Sequence, residues 1–188
     1  MLSRHRLTVE EFHRMWAVGI FKEDDRVELI EGELIDMAPI GSLHAGTVAF
    51  LAKQLERAAG DHALVFVQNP VFLAANSEPQ PDISLLKPRE DFYRIAHPNP
   101  GDVLLIIEVA DTSLTCDHDI KVPLYARHGI SEVWLIDLEG KRLHIFTSPS
   151  ETGYLECRVL ARPSMITPSL LLQCAVDVSA LFWEETSA

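Results

Sequence analysis

Two acidic residues and a lysine stand where they could carry out hydrolytic chemistry. Asp82 follows Pro81 at the start of an apolar run, and Glu108 lies near the end of the most apolar run, "VLLIIEV". An ionised carboxylate in a dry interior is costly unless a cation shares its site. Two carboxylates converging from neighbouring strands therefore predict a site for a hard cation such as Mg²⁺, which prefers oxygen ligands. Lys121, in a following stretch of helical spacing, could stabilise charge that develops on a phosphate.

Helices are predicted wherever apolar residues recur at helical spacing next to an end signal. The first begins at a capping box of Thr8 and Glu11. The remaining helices have these expected limits: Ser42 as cap to Gly60, Asp117 as cap to Gly129, and a short terminal helix from Asp177.

Strands are predicted from alternating or continuous apolar runs bounded by turn residues. Hairpins are expected around Glu31–Gly32 and Glu139–Gly140. The segment "ALVFVQNPVFLA" predicts one or two strands, and "DISLL" and "YLECRVL" predict one each. The run "VLLIIEV" does not alternate, which favours a central strand covered on both faces. The order of elements predicts an α/β (α+β) fold in which one mixed β-sheet is flanked by helices.

Composition limits the classes of protein to consider. The 188 residues fit one domain, 1–188, with a core of about 8–182. The net charge of −12 argues against a surface that binds polyanions non-specifically, because such binding depends on Lys and Arg contacts to phosphate. The three cysteines form no CxxC pair, which favours reduced thiols in a cytoplasmic protein. No apolar run is long enough to span a bilayer, and the first residues do not resemble a signal peptide.

The ordered motifs resemble a known nuclease superfamily. "PD" at 81–82, "IIEVAD" with Glu108, and then Lys121 are similar to the PD-(D/E)XK pattern. The wider segments "VELIEGELIDMAPIGSLH" and "LLIIEVADTSLTCDHDIKVPLYARHGISEVWLIDL" resemble the Uma-type family of restriction endonucleases. The resemblance extends from about Val9 to Phe182. It implies a restriction-endonuclease-like core, a Mg²⁺ cofactor for which Mn²⁺ can substitute, and DNA as substrate.

The resemblance also implies roles for individual residues. Asp82 and Glu108 match the two metal-binding acids, with the backbone carbonyl of Val109 as a further metal contact, and a metal-activated water attacks phosphorus. The usual lysine position, two residues after the second acid, is occupied by Ala110. In the Uma-type pattern the lysine lies on the next helix, where Lys121 matches it. The remaining matches, given less weight, are Glu28 and His44 as additional catalytic or metal-contacting residues.

Ordinary structural interpretations remain open beside the catalytic one. Asp117 and Lys121 are four residues apart and could form a surface ion pair on a helix. Glu28 could point outward from a hairpin strand, and His44 could simply occupy the first turn of its helix. The alternative functions are a catalytically weak or inactive binding or regulatory module, motivated by the charge of −12, and a phosphodiesterase acting on RNA. A homodimer is possible through pairing of exposed edges at "VWLIDLEGKRLHIF".

Overall fold

The computed structural model describes residues 4–182, whose centre is a six-stranded mixed β-sheet with helices on both faces. The helices are α1 Val9–Ala17, α2 Ser42–Ala59, α3 Leu114–Cys116 and α4 Val122–Arg127, with a π-helical turn, Asp117–Lys121, joining α3 to α4 and short 3-10 turns at Gly60–His62 and Pro100–Asp102. The strands are β1 Val27–Ile30, β2 Glu33–Asp36, β3 Leu64–Val67, β4 Ile83–Leu86, β5 Val103–Ala110, β6 Glu132–Asp137, β7 Arg142–Ser150, β8 Gly153–Leu160, β9 Met165–Ile166 and β10 Val176–Asp177. This architecture confirms the predicted fold class.

The register of the main sheet determines which residues share a site. Its strand order is β3-β4-β5-β6-β7-β8, and β5 and β6 are the parallel pair in an otherwise antiparallel sheet. In the antiparallel β4–β5 pair, Ile83 is opposite Ile107. Extending that register by one residue places Asp82 opposite Glu108. Because opposite residues of a pair point to the same face, the two carboxylates emerge on one side of the sheet.

Apolar packing covers both faces of the sheet around β5. One face packs against α2 and the C-terminal segments, with Leu55, Ile107 and Trp134 in the same cluster. The other face packs against α4, which contributes Leu124 and Tyr125. Every residue of β5 is buried, which confirms the predicted central strand and explains its continuous apolar sequence.

Local end signals were right for the start of α1 and the end of α2, and wrong for the start of α2 and for Asp177. Thr8 and Glu11 form the predicted capping box. Helix α2 ends before Gly60 as predicted, but its N-cap is Gly41, and Ser42 is already its first helical residue. Asp177 does not begin a helix, because it pairs with Met165 in the β9–β10 ladder and its carboxylate accepts a hydrogen bond from Ser179 N–H in the turn that follows.

Two further strand predictions can be compared with the structure. "ALVFVQNPVFLA" forms one strand, β3, because the chain leaves the sheet at Gln68, which has a positive φ of 53°. The hairpin at "VWLIDLEGKRLHIF" is not an exposed edge, so the proposed edge pairing is wrong. Strand β6 lies between β5 and β7, and β7 pairs with β8 on its other side. Within residues 4–182, no helix combines the length and apolar character needed to cross a membrane.

Candidate active site

Asp82 lies at the entrance to β4 and is held by three donors. Val109 N–H donates to its Oδ2 at 2.9 Å, and Nε2 of His44 is 3.1 Å from the same oxygen. The side-chain amide of Gln68 donates to Oδ1 at 3.3 Å. His44 reaches this position from the first turn of α2. These three contacts fix the direction of the buried carboxylate.

Glu108 lies beside Asp82 and is almost fully buried, with 1% of its surface exposed. The backbone N–H of Asp82 donates to Glu108 Oε2 at 3.3 Å, which joins the two acids directly. The hydroxyl of Tyr125 donates to Oε1 at 2.6 Å from α4. The two carboxylates predicted to converge from neighbouring strands thus meet at the strand ends.

Lys121 turns inward, which resolves the alternative of a surface ion pair. It is 4% exposed, and its ammonium lies 3.2 Å from Glu28 Oε1 and 3.4 Å from Glu108 Oε1. Asp117 Oδ1 is more distant, at 3.8 Å, and is itself buried. The ammonium of Lys121 therefore lies in the same pocket as Glu108, where the sequence pattern predicts it.

A π-helical turn sets the direction of Lys121. The amide of Val122 donates to the carbonyl of Asp117, five residues earlier, and Pro123 has no N–H to continue the α-helical pattern. Such wide turns are frequent at functional sites because they change the direction of side chains within a helix. The prediction that Asp117 caps this helix is wrong. The helical segment starts at Leu114, and the Asp117 carboxylate accepts a hydrogen bond from Ser113 Oγ at 2.5 Å.

Glu28 comes from the separate β1–β2 hairpin and points inward. It is 2% exposed, so it is not the outward-facing hairpin residue of the ordinary interpretation. One carboxylate oxygen contacts Lys121, and the other accepts the backbone N–H of Gln80 at 3.0 Å. Because Gln80 precedes Asp82 by two residues, Glu28 links the lysine to the segment that carries the first acid.

These residues line one pocket with a volume of about 320 Å³. Acidic residues outnumber basic ones on its wall, six to two. The acids are Glu28, Asp36, Asp82, Glu108, Asp111 and Asp117, and the bases are Arg26 and Lys121, with His44 in addition. The wall therefore has more negative charge than its own cations can neutralise.

The surplus of buried acids changes the proton affinity of the site. Burial raises the pKa of Glu108 to about 8, helped by the charges of Asp117 and Asp82 and opposed by Lys121 and Tyr125. Burial also raises the pKa of Asp117. For Lys121, burial opposes the charge, but the carboxylates of Glu108 and Glu28 outweigh it and raise the pKa, so the ammonium stays protonated.

In the pair formed by His44 and Asp82, the pKa of the acid is lowered, in contrast to the raised pKa of Glu108. The hydrogen bond to Asp82 raises the pKa of His44. Burial alone would raise the pKa of Asp82, but the contacts from His44, Val109 and Gln68 lower it below its usual value. Asp82 is thus the anionic member of the two strand-end acids at neutral pH, and Glu108 is the member that holds a proton most readily.

The donor set fits a hard divalent cation. Asp82 and Glu108 offer carboxylate oxygens at one pocket wall, and Mg²⁺ is commonly held by one or two carboxylates with waters completing its octahedron. A cation there would also offset the surplus of acidic groups on the wall and favour the ionised form of Glu108. The residues that would hold it are Asp82 and Glu108, with Val109 adjacent.

The structure brings together every residue that the sequence selected and adds others. Asp82, Glu108, Lys121, Glu28 and His44 line the pocket, and Val109 contacts Asp82 through its N–H. Sequence reasoning selected neither Tyr125 nor Gln68. For Tyr125 a signal existed, because it lies four residues after Lys121 and so on the same helix face. For Gln68 there was none, since its contact depends on how the chain leaves β3.

Comparisons with known proteins identify the family and support the fold. Residues 9–180 match the sequence model of the Uma2 family, described as "Putative restriction endonuclease". Among solved structures, the chain is similar to a "putative nuclease belonging to DUF820 from Anabaena variabilis ATCC 29413", with a TM-score of 0.72 and 19% identity over 94% of this chain and 97% of that chain. A comparison with curated proteins gave no match. At this identity the structural likeness shows the fold alone, a restriction-endonuclease-like fold with a six-stranded mixed sheet flanked by helices.

Proposed function

The chain belongs to the Uma2 family, and we propose that it is a Mg²⁺-dependent endonuclease that hydrolyses phosphodiester bonds of DNA. The observation that carries the proposal is the position of Asp82 opposite Glu108 with the Lys121 ammonium 3.4 Å from Glu108. Two acids and a cation in one buried pocket are groups suited to metal-dependent hydrolysis of phosphodiesters. We further propose that residues 1–188 form one domain around this pocket.

In this proposal Asp82 and Glu108 would hold the metal, with the carbonyl of Val109 as a backbone contact. When bound, Mg²⁺ supplies a polarised water as nucleophile and neutralises charge on the phosphate. The protein keeps the two carboxylates in one pocket. His44, Gln68 and the Val109 N–H fix Asp82.

Lys121 stabilises negative charge on the phosphate oxygens as phosphorus becomes five-coordinate. Its raised pKa keeps it protonated through the neutral range, so it acts as a fixed positive charge. Glu28 and Glu108 hold the ammonium in place at 3.2 and 3.4 Å. A charge that is oriented before substrate binds needs little rearrangement in the transition state.

A cleavage assay tests these roles. Plasmid and linear DNA, and RNA in parallel, are incubated with Mg²⁺, Mn²⁺ or chelator. We expect metal-dependent DNA cleavage that falls at least about a hundredfold in Asp82→Asn and Lys121→Met. Asp36→Asn is the matched control, because it removes a negative charge from the same pocket at an exposed position without touching the two strand-end acids. Unchanged cleavage in Asp82→Asn would refute the assigned site, and preferential cleavage of RNA would reassign the substrate.

One observation favours a second candidate, a binding or regulatory module that lacks activity. The pocket wall has two bases, and Lys121 is already engaged by three carboxylates, so little free positive charge meets an approaching phosphate. Arg89 and Arg127, which also lie on the surface, are paired with Asp91 and Glu31. Calorimetric titration with Mn²⁺ separates the candidates. Binding that is lost in Asp82→Asn favours the nuclease, whereas no binding at millimolar Mn²⁺ together with a stable protein partner favours the module.

A further inference from the structure

A second set of metal-binding side chains lies outside the pocket of Asp82. Among residues 4–182, a carboxylate oxygen of Glu78 and one ring nitrogen each of His13 and His97 lie within 4.8 Å of one another. They line a surface depression that shares no residue with the pocket around Asp82 and Glu108. This cluster is therefore not part of the site described above.

The three side chains come from three separate segments, each with an anchored backbone. His13 lies on α1, which the Val9 N–H ties to the carbonyl of Ala75 at 2.7 Å. Glu78 donates its N–H to the carbonyl of Leu29 at 2.8 Å. His97 precedes Pro98, whose carbonyl accepts the Phe72 N–H at 2.9 Å. The convergence is thus set by the fold and not by a single mobile loop.

A hydrogen bond between His13 and Glu78 explains only part of the cluster. His13 Nε2 lies 2.6 Å from Glu78 Oε1, and the Glu78 side chain is 3% exposed, so a buried carboxylate has found a partner. His97 adds no hydrogen bond to this pair, yet its ring lies 6.3 Å from that of His13, and one of its ring nitrogens lies within 4.8 Å of the same carboxylate. A single imidazole would satisfy the buried carboxylate, so the second imidazole beside it needs another explanation.

We propose that His13, Glu78 and His97 bind a first-row transition metal ion, with Zn²⁺ as the expected ion. Two imidazoles and one carboxylate are a common protein ligand set for Zn²⁺, and a water or exchangeable ligand takes the fourth position. Ligand atoms about 2.1 Å from Zn²⁺ in a tetrahedron lie about 3.4 Å apart, so small rotations of the exposed imidazoles reach that geometry. Mg²⁺ disfavours imidazole ligands, so this cluster should prefer a different metal ion from the oxygen-lined pocket.

Bound Zn²⁺ would fasten three parts of the chain to one another. It joins α1, the segment before β4 and the loop that follows β4. The Glu78 segment also forms a bridge with Leu29, next to Glu28 of the pocket. Metal binding at this cluster therefore stabilises the N-terminal helix on the core and braces the hairpin that carries Glu28.

Titration calorimetry with Zn²⁺ on protein without a histidine tag tests the proposal. We expect one equivalent to bind to the wild-type chain and its affinity to fall at least about tenfold in His97→Gln. The pocket of Asp82 is unchanged in this variant, so any Zn²⁺ bound there is common to both titrations. His62→Gln, at another exposed position, is the matched control and should bind like wild type. Equal Zn²⁺ affinity in wild type and His97→Gln would overturn the proposal.

Co²⁺ provides a second readout of the same site. Four-coordinate Co²⁺ absorbs visible light far more strongly than the hydrated ion, and we expect strong bands in wild type that are lost in His13→Gln and His97→Gln. Both substituted positions are exposed, so the variants keep the buried core. Bands of equal strength in wild type and both variants would refute the assigned ligands. Neither measurement requires nuclease activity, so its outcome is independent of the proposed function.

Discussion

Nζ of Lys121 lies 3.4 Å from Oε1 of Glu108, although one residue is on a central strand and the other on the helical segment that follows it. Both side chains are almost completely buried. The lysine therefore supplies from the helix the positive charge that the strand lacks at Ala110. The same contact couples the stability of the fold to the charge of the candidate active site.

Removing the Lys121 ammonium should destabilise the protein. Lys121→Met leaves Glu28, Glu108 and Asp117 buried without their shared cation, and breaking a buried ion pair from one side costs about 3–5 kcal/mol. We expect the free energy of unfolding to fall by about 3 kcal/mol at pH 8 and by less at pH 5, where protonation relieves the unpaired carboxylates. Urea denaturation measures both values.

Lys53→Met is the control for that loss, because Lys53 is exposed on α2. Its effect should stay within about 0.5 kcal/mol of wild type. A loss of the same size in both variants would mean that burial of Lys121 contributes nothing specific to stability.

The raised pKa of Glu108 predicts a pH-dependent stability of the metal-free protein. Its carboxyl has a pKa of about 8 in the folded chain against an ordinary value of 4.5, so between these values the folded state keeps a proton that the unfolded state releases. Stabilisation from this group is therefore complete below pH 4.5 and is lost as pH rises to about 8. Asp117 and His44, whose pKa values are also raised, act in the same direction.

We expect the free energy of unfolding to decrease by on the order of 3 kcal/mol between about pH 5 and pH 8 in the presence of a chelator. Urea denaturation at several pH values measures the slope. Glu108→Gln cannot ionise and should flatten the slope, leaving the smaller contributions of Asp117 and His44. A slope identical in wild type and Glu108→Gln would show that Glu108 is ionised in the folded protein throughout this range.

Signals that depend on neighbouring residues made much of the fold predictable. The capping box of Thr8 and Glu11 and the turn at Glu31–Gly32 need only a few adjacent residues, and both appear as predicted. The all-apolar β5 was equally clear, because a strand buried on both faces has no polar side to alternate with. Where a local signal competed with distant pairing, as at Asp177, the pairing with Met165 prevailed.

The candidate site was predictable in its acids and lysine, and less so in the groups that support them. The resemblance of the ordered motifs selected Asp82, Glu108 and Lys121, which the fold brings together. The contacts of Gln68 and Tyr125 arise from the exit of the chain from β3 and from the docking of α4. The exit from β3 leaves no pattern in the sequence, whereas the spacing of four residues between Lys121 and Tyr125 was a signal for the second contact. The π-helical turn likewise made Asp117 a member of the buried cluster instead of a cap.

Two glycines should respond in opposite ways to alanine. Gly46 lies within α2, and no atom lies within 4 Å of the position that an alanine Cβ would take. Gly46→Ala should therefore raise the free energy of unfolding by about 0.5–1 kcal/mol. Gly32 has a φ of +78° in the first hairpin, and a Cβ there would lie 2.6 Å from Cβ of Arg6. Gly32→Ala should therefore lower the free energy of unfolding by about 1–3 kcal/mol. Urea denaturation measures both, and a stabilised Gly32→Ala would contradict the turn geometry.

The hydroxyl of Tyr125 should contribute to metal binding as well as to folding. Tyr125→Phe removes the hydrogen bond that Glu108 Oε1 accepts at 2.6 Å, leaving Lys121 as the remaining contact of that oxygen. Groups that orient a metal-binding side chain typically contribute about 10- to 100-fold to affinity. We expect the Kd for Mn²⁺ to rise about tenfold and kcat/KM for DNA cleavage to fall by a similar factor, measured by calorimetry and by the cleavage assay.

Tyr154→Phe separates this orienting role from simple loss of a buried hydrogen bond. The Tyr154 hydroxyl donates to the carbonyl of Ile130 at 2.6 Å and does not line the pocket, so the two variants delete the same atom from a bond of the same length. Both should lose about 1–2 kcal/mol of unfolding free energy, because a buried acceptor loses its donor in each case. Only Tyr125→Phe should weaken Mn²⁺ binding, since only its partner is a candidate metal ligand. Equal Mn²⁺ affinity in the two variants would mean that Glu108 keeps its orientation through the backbone of β5 alone.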